Sequence, residues 1–298
     1  MSNQTETSVI SVKNLTQRYG KGRIIYENLS FEVPRGRILG LLGKNGTGKT
    51  TTINILMGFL KPQSGECKIF GEDITCMSAS TRSRIALLLE GHVQYSFMTI
   101  RQIERFYSQF YPKWNSEAYY GLMKKLKVTP EQKISSMSNG QRSQVALGLI
   151  LAQNADLLVL DDFSLGLDPG YRRLFIEYLR DFVKNEGKTV FMTSHIIQDL
   201  ERLIDDCIIM DYGRILTQMP VDELMSTLRR YSYSEGNLPS GDGIFSPWHT
   251  GNENEFYSFL PESEVRILLD KQGIKPSDLK SEAPASLEDA FIGLTGRY

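Results

Sequence analysis

Short apolar runs alternate with polar turns along the first ninety residues. Val9–Val12, Ile24–Tyr26 and Leu29–Val33 have strand-like spacing, and Pro34-Arg35-Gly36 reads as a turn. Ile38–Leu42 is a short continuous apolar run, the pattern of a strand buried on both faces of a sheet. A glycine-rich segment follows at once. Thr50–Phe59 then places Ile53, Leu56 and Met57 at helical spacing, and Pro62-Gln63-Ser64-Gly65 closes that helix. Cys67–Phe70, Ile85–Leu89, Leu157–Leu160 and Thr189–Met192 predict further strands, while Arg172–Lys184 and Ile196–Ile204 predict helices. Ile208–Asp211 and Arg214–Leu216 predict a hairpin around Tyr212-Gly213.

Two stretches break this rhythm. From Thr99 to Lys127 the apolar positions (Ile100, Ile103, Phe106, Tyr107, Phe110, then Tyr119, Leu122, Met123, Leu126) follow a helical period, which predicts a helical insert in an otherwise α/β chain. After about Leu228 the pattern loosens. Tyr231–Pro247 is rich in Ser, Gly, Pro and Tyr, Glu255–Leu260 alternates briefly, and Glu262–Gln272 predicts a helix. The expected division is therefore a domain over 1–228, with a helical subdomain at about 91–146, and a small α+β extension over 229–298.

Composition narrows the class. The 298 residues are 41% hydrophobic and 23% charged, which is ordinary globular usage and excludes a disordered chain. Thirty-four basic and 35 acidic side chains leave a net charge of −1, which argues against a general nucleic-acid binder. Cys67, Cys76 and Cys207 form no C-x-x-C pair, so neither a disulfide scaffold nor a structural zinc site is expected, and a reducing cytoplasm fits. The N-terminus has no apolar core of a secretory signal, and no run approaches the roughly 20 apolar residues that span a bilayer. Work at a membrane would need a partner to bring the chain there.

Three segments carry chemistry. Gly43-Lys44-Asn45-Gly46-Thr47-Gly48-Lys49-Thr50 matches the phosphate loop G-x-x-x-x-G-K-[ST] between a predicted strand and a predicted helix. Its glycines let backbone N–H groups turn toward phosphates with no Cβ in the way, and the helix N-terminus adds partial positive charge. Lys49 is expected to reach the β- and γ-phosphates and Thr50 to donate its oxygen to Mg²⁺. The nucleotide-contacting set here is Gly43, Asn45, Gly46, Gly48, Lys49, Thr50 and Thr51. Asp161 ends the apolar run Leu157–Leu160, at the sheet edge where open α/β folds bind ligands, and is the candidate metal carboxylate. Taken alone it could equally be structural. Ser138-Asn139-Gly140-Gln141 opens an apolar helix and is either a second anion site or an ordinary N-cap. Two phosphate sites in one small chain make sense only if they meet across a dimer.

The phosphate loop, Ser138–Gln141, Leu160-Asp161-Asp162, Gly166-Leu167-Asp168-Pro169 and Thr193-Ser194-His195 occur in that order. Together they resemble the ATP-binding subunit of ABC transporters over about Val9 to Leu228. Ala285–Phe291 is similar to the tail of the exporter branch whose membrane subunit is a separate chain. The resemblance implies a P-loop ATPase fold and a head-to-tail pair of subunits. ATP and Mg²⁺ would lie between the phosphate loop of one copy and Ser138, Gly140 and Gln141 of the other. It implies that Tyr19 stacks on adenine, the alternative being a half-buried tyrosine at a strand end. It also implies that His195 senses the γ-phosphate and that Asp168 lies in a loop linking the two sites. The aromatic stretch Tyr95–Trp114 falls where the family receives a helix of the membrane subunit, although part of it must be subdomain core.

Two positions depart from the family pattern. Asp162 stands where most members have a catalytic Glu. Its carboxylate is one methylene shorter and stops more than about 1 Å short unless the backbone shifts, a displacement that can cost on the order of 10²-fold in rate. Glu90 stands where most relatives carry Gln, which is similar to exporters for bacitracin and lantibiotic immunity, and a carboxylate there can still ligate Mg²⁺. The reading is an ATP-hydrolysing subunit, with Asp162, His195 and Glu90 as catalytic candidates and Thr50, Glu90 and Asp161 as metal ligands. It would bind no nucleic acid, drive an exporter with a separate transmembrane permease, and sit on the inner face of the membrane. A homodimer is favoured over a heterodimer. A slow regulatory subunit and a soluble ABC protein outside transport stay open as alternatives.

Overall fold

In the computed structural model, which describes residues 8–297 apart from 21, 23, 90–94, 165, 166, 195 and 235, two long strands come first. β1 (Ser8–Arg18) and β2 (Ile24–Pro34) pair antiparallel. The two separate runs expected before Pro34 are one strand. Asn14 and Asn28 adopt positive φ and interrupt the alternation as local irregularities, patched where Asn14 N–H donates to Ser30 Oγ and Asn28 N–H to Thr16 Oγ1. Then follow β3 (Ile38–Gly43), α1 (Lys49–Leu56), β4 (Ser64–Ile69), β5 (Glu72–Asp73), α2 (Ala79–Arg82) and β6 (Ile85–Leu88). α1 stops short of Phe59 because Gly58 turns the chain at φ 74°.

The helical insert is α3 (Ile100–Ser108), α4 (Ser116–Lys125) and α5 (Asn139–Ala152). Thr99 with Gln102 and Ser138 with Gln141 form capping boxes that start α3 and α5. Glu104, buried between α3 and α4, accepts from Trp114 Nε1, Ser116 Oγ and Tyr120 Oη, so its carboxyl oxygens are matched by three donors. β7 (Leu157–Leu160), α6 (Pro169–Glu186), β8 (Thr189–Thr193), α7 (Ile197–Glu201), β9 (Asp206–Asp211), β10 (Arg214–Pro220) and α8 (Val221–Thr227) complete this part. α7 is shorter than Ile196–Ile204, because the amides of Leu203 and Ile204 both turn back to the Leu200 carbonyl.

The central sheet runs β10-β9-β3-β8-β7-β6, parallel except for β10. Its continuous apolar strands split by parity, as strands covered on both faces must. Leu39, Leu41, Val159, Phe191, Ile208 and Met210 pack against α1 and the antiparallel sheet β2-β1-β4-β5. Leu158, Leu160, Val190, Met192, Cys207 and Ile209 face the other core with α5 and α6. All parallel strands present their C-terminal ends along one edge, which positions the site.

The extension is strand only at the two ends of Tyr231–Pro247, with bends and turns over 236–244. It holds β11 (Arg229–Tyr233), β12 (Phe245–Thr250), β13 (Glu253–Ser258), α9 (Glu262–Lys271), β14 (Lys280–Glu282) and α10 (Leu287–Thr295). The strands form a sheet in the order β12-β13-β11-β14, and Tyr231, Tyr233, Phe256, Val265 and Leu269 make its own core. α10 belongs elsewhere. Leu287, Ala290, Phe291 and Leu294 pack into the larger core with Leu200, Leu203 and Leu224.

Candidate functional site

The phosphate loop leaves the end of β3 with Gly46 at φ 77° and Gly48 at φ 104°, values that only glycine adopts without strain. A Cβ on Gly48 would lie 2.6 Å from Ile25 Cγ2 and 2.8 Å from Tyr26 Cε1, so the loop also needs glycine there for room. Thr47 Oγ1 donates to the Lys44 carbonyl at 2.8 Å. Lys49 Nζ donates to the carbonyls of Gly43 at 2.7 Å and Lys44 at 3.1 Å. Burial pushes the Lys49 ammonium's pKa down, against the opposing pull of Asp162 and Asp161. A partly desolvated cation at the N-terminus of α1 is primed to exchange carbonyls for an anion.

Asp161 follows β7 and is 2% exposed. Its Oδ1 accepts from Thr193 Oγ1 at 2.8 Å and from Thr50 Oγ1 at 3.3 Å. The sheet explains the meeting. β8 lies between β3 and β7, and Leu160 pairs with Met192, so the next residues, Asp161 and Thr193, end side by side. Asp162 follows with φ 46°, a left-handed backbone that Asp tolerates, and its N–H donates to Thr193 Oγ1 at 3.0 Å. Thr50 and Asp161 supply hard oxygen atoms beside the Lys49 ammonium, a donor set that suits Mg²⁺ with phosphate.

Tyr19, just beyond β1, is half exposed, and its Oη meets Thr51 Oγ1 at 3.2 Å. It therefore borders the phosphate-loop helix with ring surface to spare. Ser138, Gly140, Gln141 and Asp168 form a second cluster. Ser138 Oγ accepts from Gln141 N–H, and Gln141 Oε1 accepts from Ser138 N–H. Asp168 caps α6 by accepting from the amides of Gly170 and Tyr171. Tyr171 joins the two helix starts. A Cβ on Gly140 would fall 2.3 Å from its ring, and Gln144 Nε2 donates to its carbonyl. Ser138 and Asp168 thus both act as N-caps within the chain. Glu90 and His195 lie outside the described residues, as does Gly166.

Thr193 is the residue that sequence reasoning passes over in favour of His195. Its signal is a hydroxyl directly after the apolar run Val190–Met192, on the strand that neighbours the one followed by Asp161.

A family model described as ABC transporter matches residues 26–164. The chain is 30% identical to the bacitracin transport ATP-binding protein BcrA of Bacillus licheniformis, covering 97% of this chain and 98% of the relative. The chain belongs to the ABC transporter ATP-binding family. It is also 29% identical to the Nod factor export ATP-binding protein I of Ralstonia nicotianae, over 98% of this chain and 95% of that protein. A solved structure of an ATP-binding subunit of an ABC transporter aligns with TM-score 0.66 and 25% identity, covering 74% of this chain and 92% of that one. Within the ABC ATP-binding fold, the matched span carries the phosphate loop, Ser138–Gln141, Asp161 and Asp162. Tyr19, Asp168 and Thr193 lie outside that span, and the geometry alone places them.

Proposed function

We propose that this chain hydrolyses MgATP to ADP and phosphate and drives an exporter whose membrane subunit is a separate chain. The observation that carries the reading is the convergence of Lys49, Thr50, Asp161 and Thr193 at the C-terminal edge of the parallel strands. Thr50 and Asp161 would hold Mg²⁺, which when bound offsets phosphate charge, and Lys49 would hold the terminal phosphates. Asp162 is the candidate for orienting the attacking water, while Glu90 and His195 remain candidates from sequence. Two copies would pair head to tail, placing Ser138, Gly140 and Gln141 of one against the nucleotide of the other. The names of the bacitracin and Nod-factor relatives support export and peripheral placement at the membrane.

The permease would dock on the helical subdomain. A groove of about 320 Å³ lined by Leu87, Leu89, Tyr107, Tyr111 and Ile150 lies there, and ring contacts run from Tyr107 through Phe106 to the exposed Phe110 and through Tyr95 to the exposed Phe97. The separate core of Tyr231, Phe256 and Val265 supports a domain boundary near residue 228. Asp162 favours a second reading, a regulatory subunit that closes on ATP and turns it over slowly.

Steady-state hydrolysis by the purified chain separates these readings. Lys49→Ala is expected to abolish turnover. If wild type is active and Asp162→Asn abolishes activity, Asp162 is a working carboxylate. A nearly silent wild type rescued by Asp162→Glu would favour the regulatory reading. Full activity in Lys49→Ala would refute ATP hydrolysis at this loop.

A further inference from the structure

The C-terminal helix ends on the phosphate loop. The last carbonyls of any helix lack intrahelical partners, and a cation beside them sits well with the helix dipole. At the end of α10 the Lys44 ammonium takes the Thr295 carbonyl, with Nζ···O 2.7 Å. Lys44 is the second residue of the phosphate loop, and its own carbonyl is the loop's hub. That oxygen accepts from the Thr47 amide, from Thr47 Oγ1 and from Lys49 Nζ. One residue therefore joins α10 to one of the two carbonyls that hold the phosphate-binding lysine, the other being that of Gly43.

α10 is itself firmly seated. Four apolar side chains bury it in the larger core, and Tyr257 Oη donates to Asp289 Oδ1 at 2.7 Å. Gln198 of α7 donates to Glu288. At Gly293 the helix backbone lies flat against the Tyr257 ring, where a Cβ would come within 2.6 Å of ring carbons. Tyr257 belongs to the sheet of the extension. A continuous set of contacts thus runs from that sheet through α10 to Lys44 and on to Lys49. The Asp211 carboxylate at the end of β9 also feels the Lys44 charge.

We infer that Lys44 is a positioning residue for nucleotide, and that α10 acts through it by holding the loop in the shape that receives phosphate. The inference rests on ATP binding at this loop. It makes seating of the extension and nucleotide affinity two sides of one equilibrium, because such coupling is reciprocal. Lys44 need not touch nucleotide for this. Its side chain fixes one of the two carbonyls from which Lys49 departs.

The test is a double-mutant cycle on the full chain, read as the calorimetric Kd for magnesium adenylyl imidodiphosphate. Lys44→Met removes the tether, and Gly293→Ala wedges α10 off Tyr257 while leaving a good helix former in place. Each is expected to weaken binding about fivefold, and the double variant no more than either alone. Lys44→Arg, which keeps the cation, is expected to bind within twofold of wild type. Multiplying losses in the double variant, or an unchanged Kd in Gly293→Ala, overturns the inference. Should Gly293→Ala fail to fold by circular dichroism, Glu288→Ala takes its place in the cycle. Absence of binding heat in wild type would instead overturn the ATP-binding reading, and this inference with it.

Discussion

Thr193 shows how much of the site depends on one hydroxyl. It donates to Asp161 Oδ1 and accepts from the Asp162 amide, so a single side chain sets both the buried carboxylate and the backbone of the residue beside it. Thr193→Val keeps the shape and removes both bonds, the one to Asp161 Oδ1 and the one from the Asp162 N–H. A lost bond to a buried group costs on the order of 1–3 kcal/mol, and the misplacement that follows can cost ~10–100-fold in kcat. The expected result is that kcat falls within that range while KM for ATP changes less than about threefold, since Lys49 and the loop amides stay in place. Thr193→Ser is expected to retain most activity. Unchanged kcat in Thr193→Val would leave Asp161 and Asp162 positioned by other groups.

At the level of elements, the ends of the strands opposite the site are joined by charge. Asp156 precedes β7, Arg84 precedes β6 and Lys188 precedes β8, while Lys113 reaches in from the segment between α3 and α4. Arg84 Nε lies 2.6 Å from Asp156, with Lys113 at 3.5 Å and Lys188 at 4.0 Å. Burial pushes the Asp156 carboxyl up, but Arg84, Lys113 and Lys188 together pull it below its ordinary value. A carboxyl depressed by folding stabilises the protein above its unfolded pKa of roughly 4, and that contribution is lost as pH falls through the folded value. Because the pair is partly exposed, Asp156→Asn is expected to cost only about 1 kcal/mol at pH 7. Melting curves of variant and wild type should converge toward pH 3; a gap that ignores pH would exclude the ion cluster as its cause. The same elements show what was readable beforehand. β3, β7 and β8 are continuous apolar runs buried on both faces, and the phosphate loop and Asp161 follow such runs directly, so their placement could be read from pattern. β11 could not, because Tyr231 and Tyr233 gain burial only from pairing with the distant β13 and β14, and β12 could not, because Ser246 at positive φ and Pro247 break its alternation and none of its residues is buried. α10 was legible as a motif and not as a helix, since its seat is made by α7, α8 and Tyr257. The bridge through Thr193 needed strand order, which no local pattern carries.

For the whole molecule, the decisive feature is that its two candidate nucleotide-contacting clusters are built on different parts of the chain. One is the phosphate loop with Asp161 and Thr193, and the other is the joined starts of α5 and α6 around Tyr171. If two copies close head to tail, each nucleotide is held by the first cluster of one chain and the second cluster of its partner. Two chains disabled at different clusters should then repair one another. Lys49→Ala removes the phosphate-binding ammonium, and Ser138→Arg fills the start of α5. In a mixed pair, one site carries both lesions and the other carries neither. Random pairing of equal amounts makes half the dimers mixed, each with one sound site of two, so turnover should return to about a quarter of wild type if sites act independently. Each variant alone should be silent. A site complete within one chain would give no recovery on mixing, and the head-to-tail arrangement would be wrong.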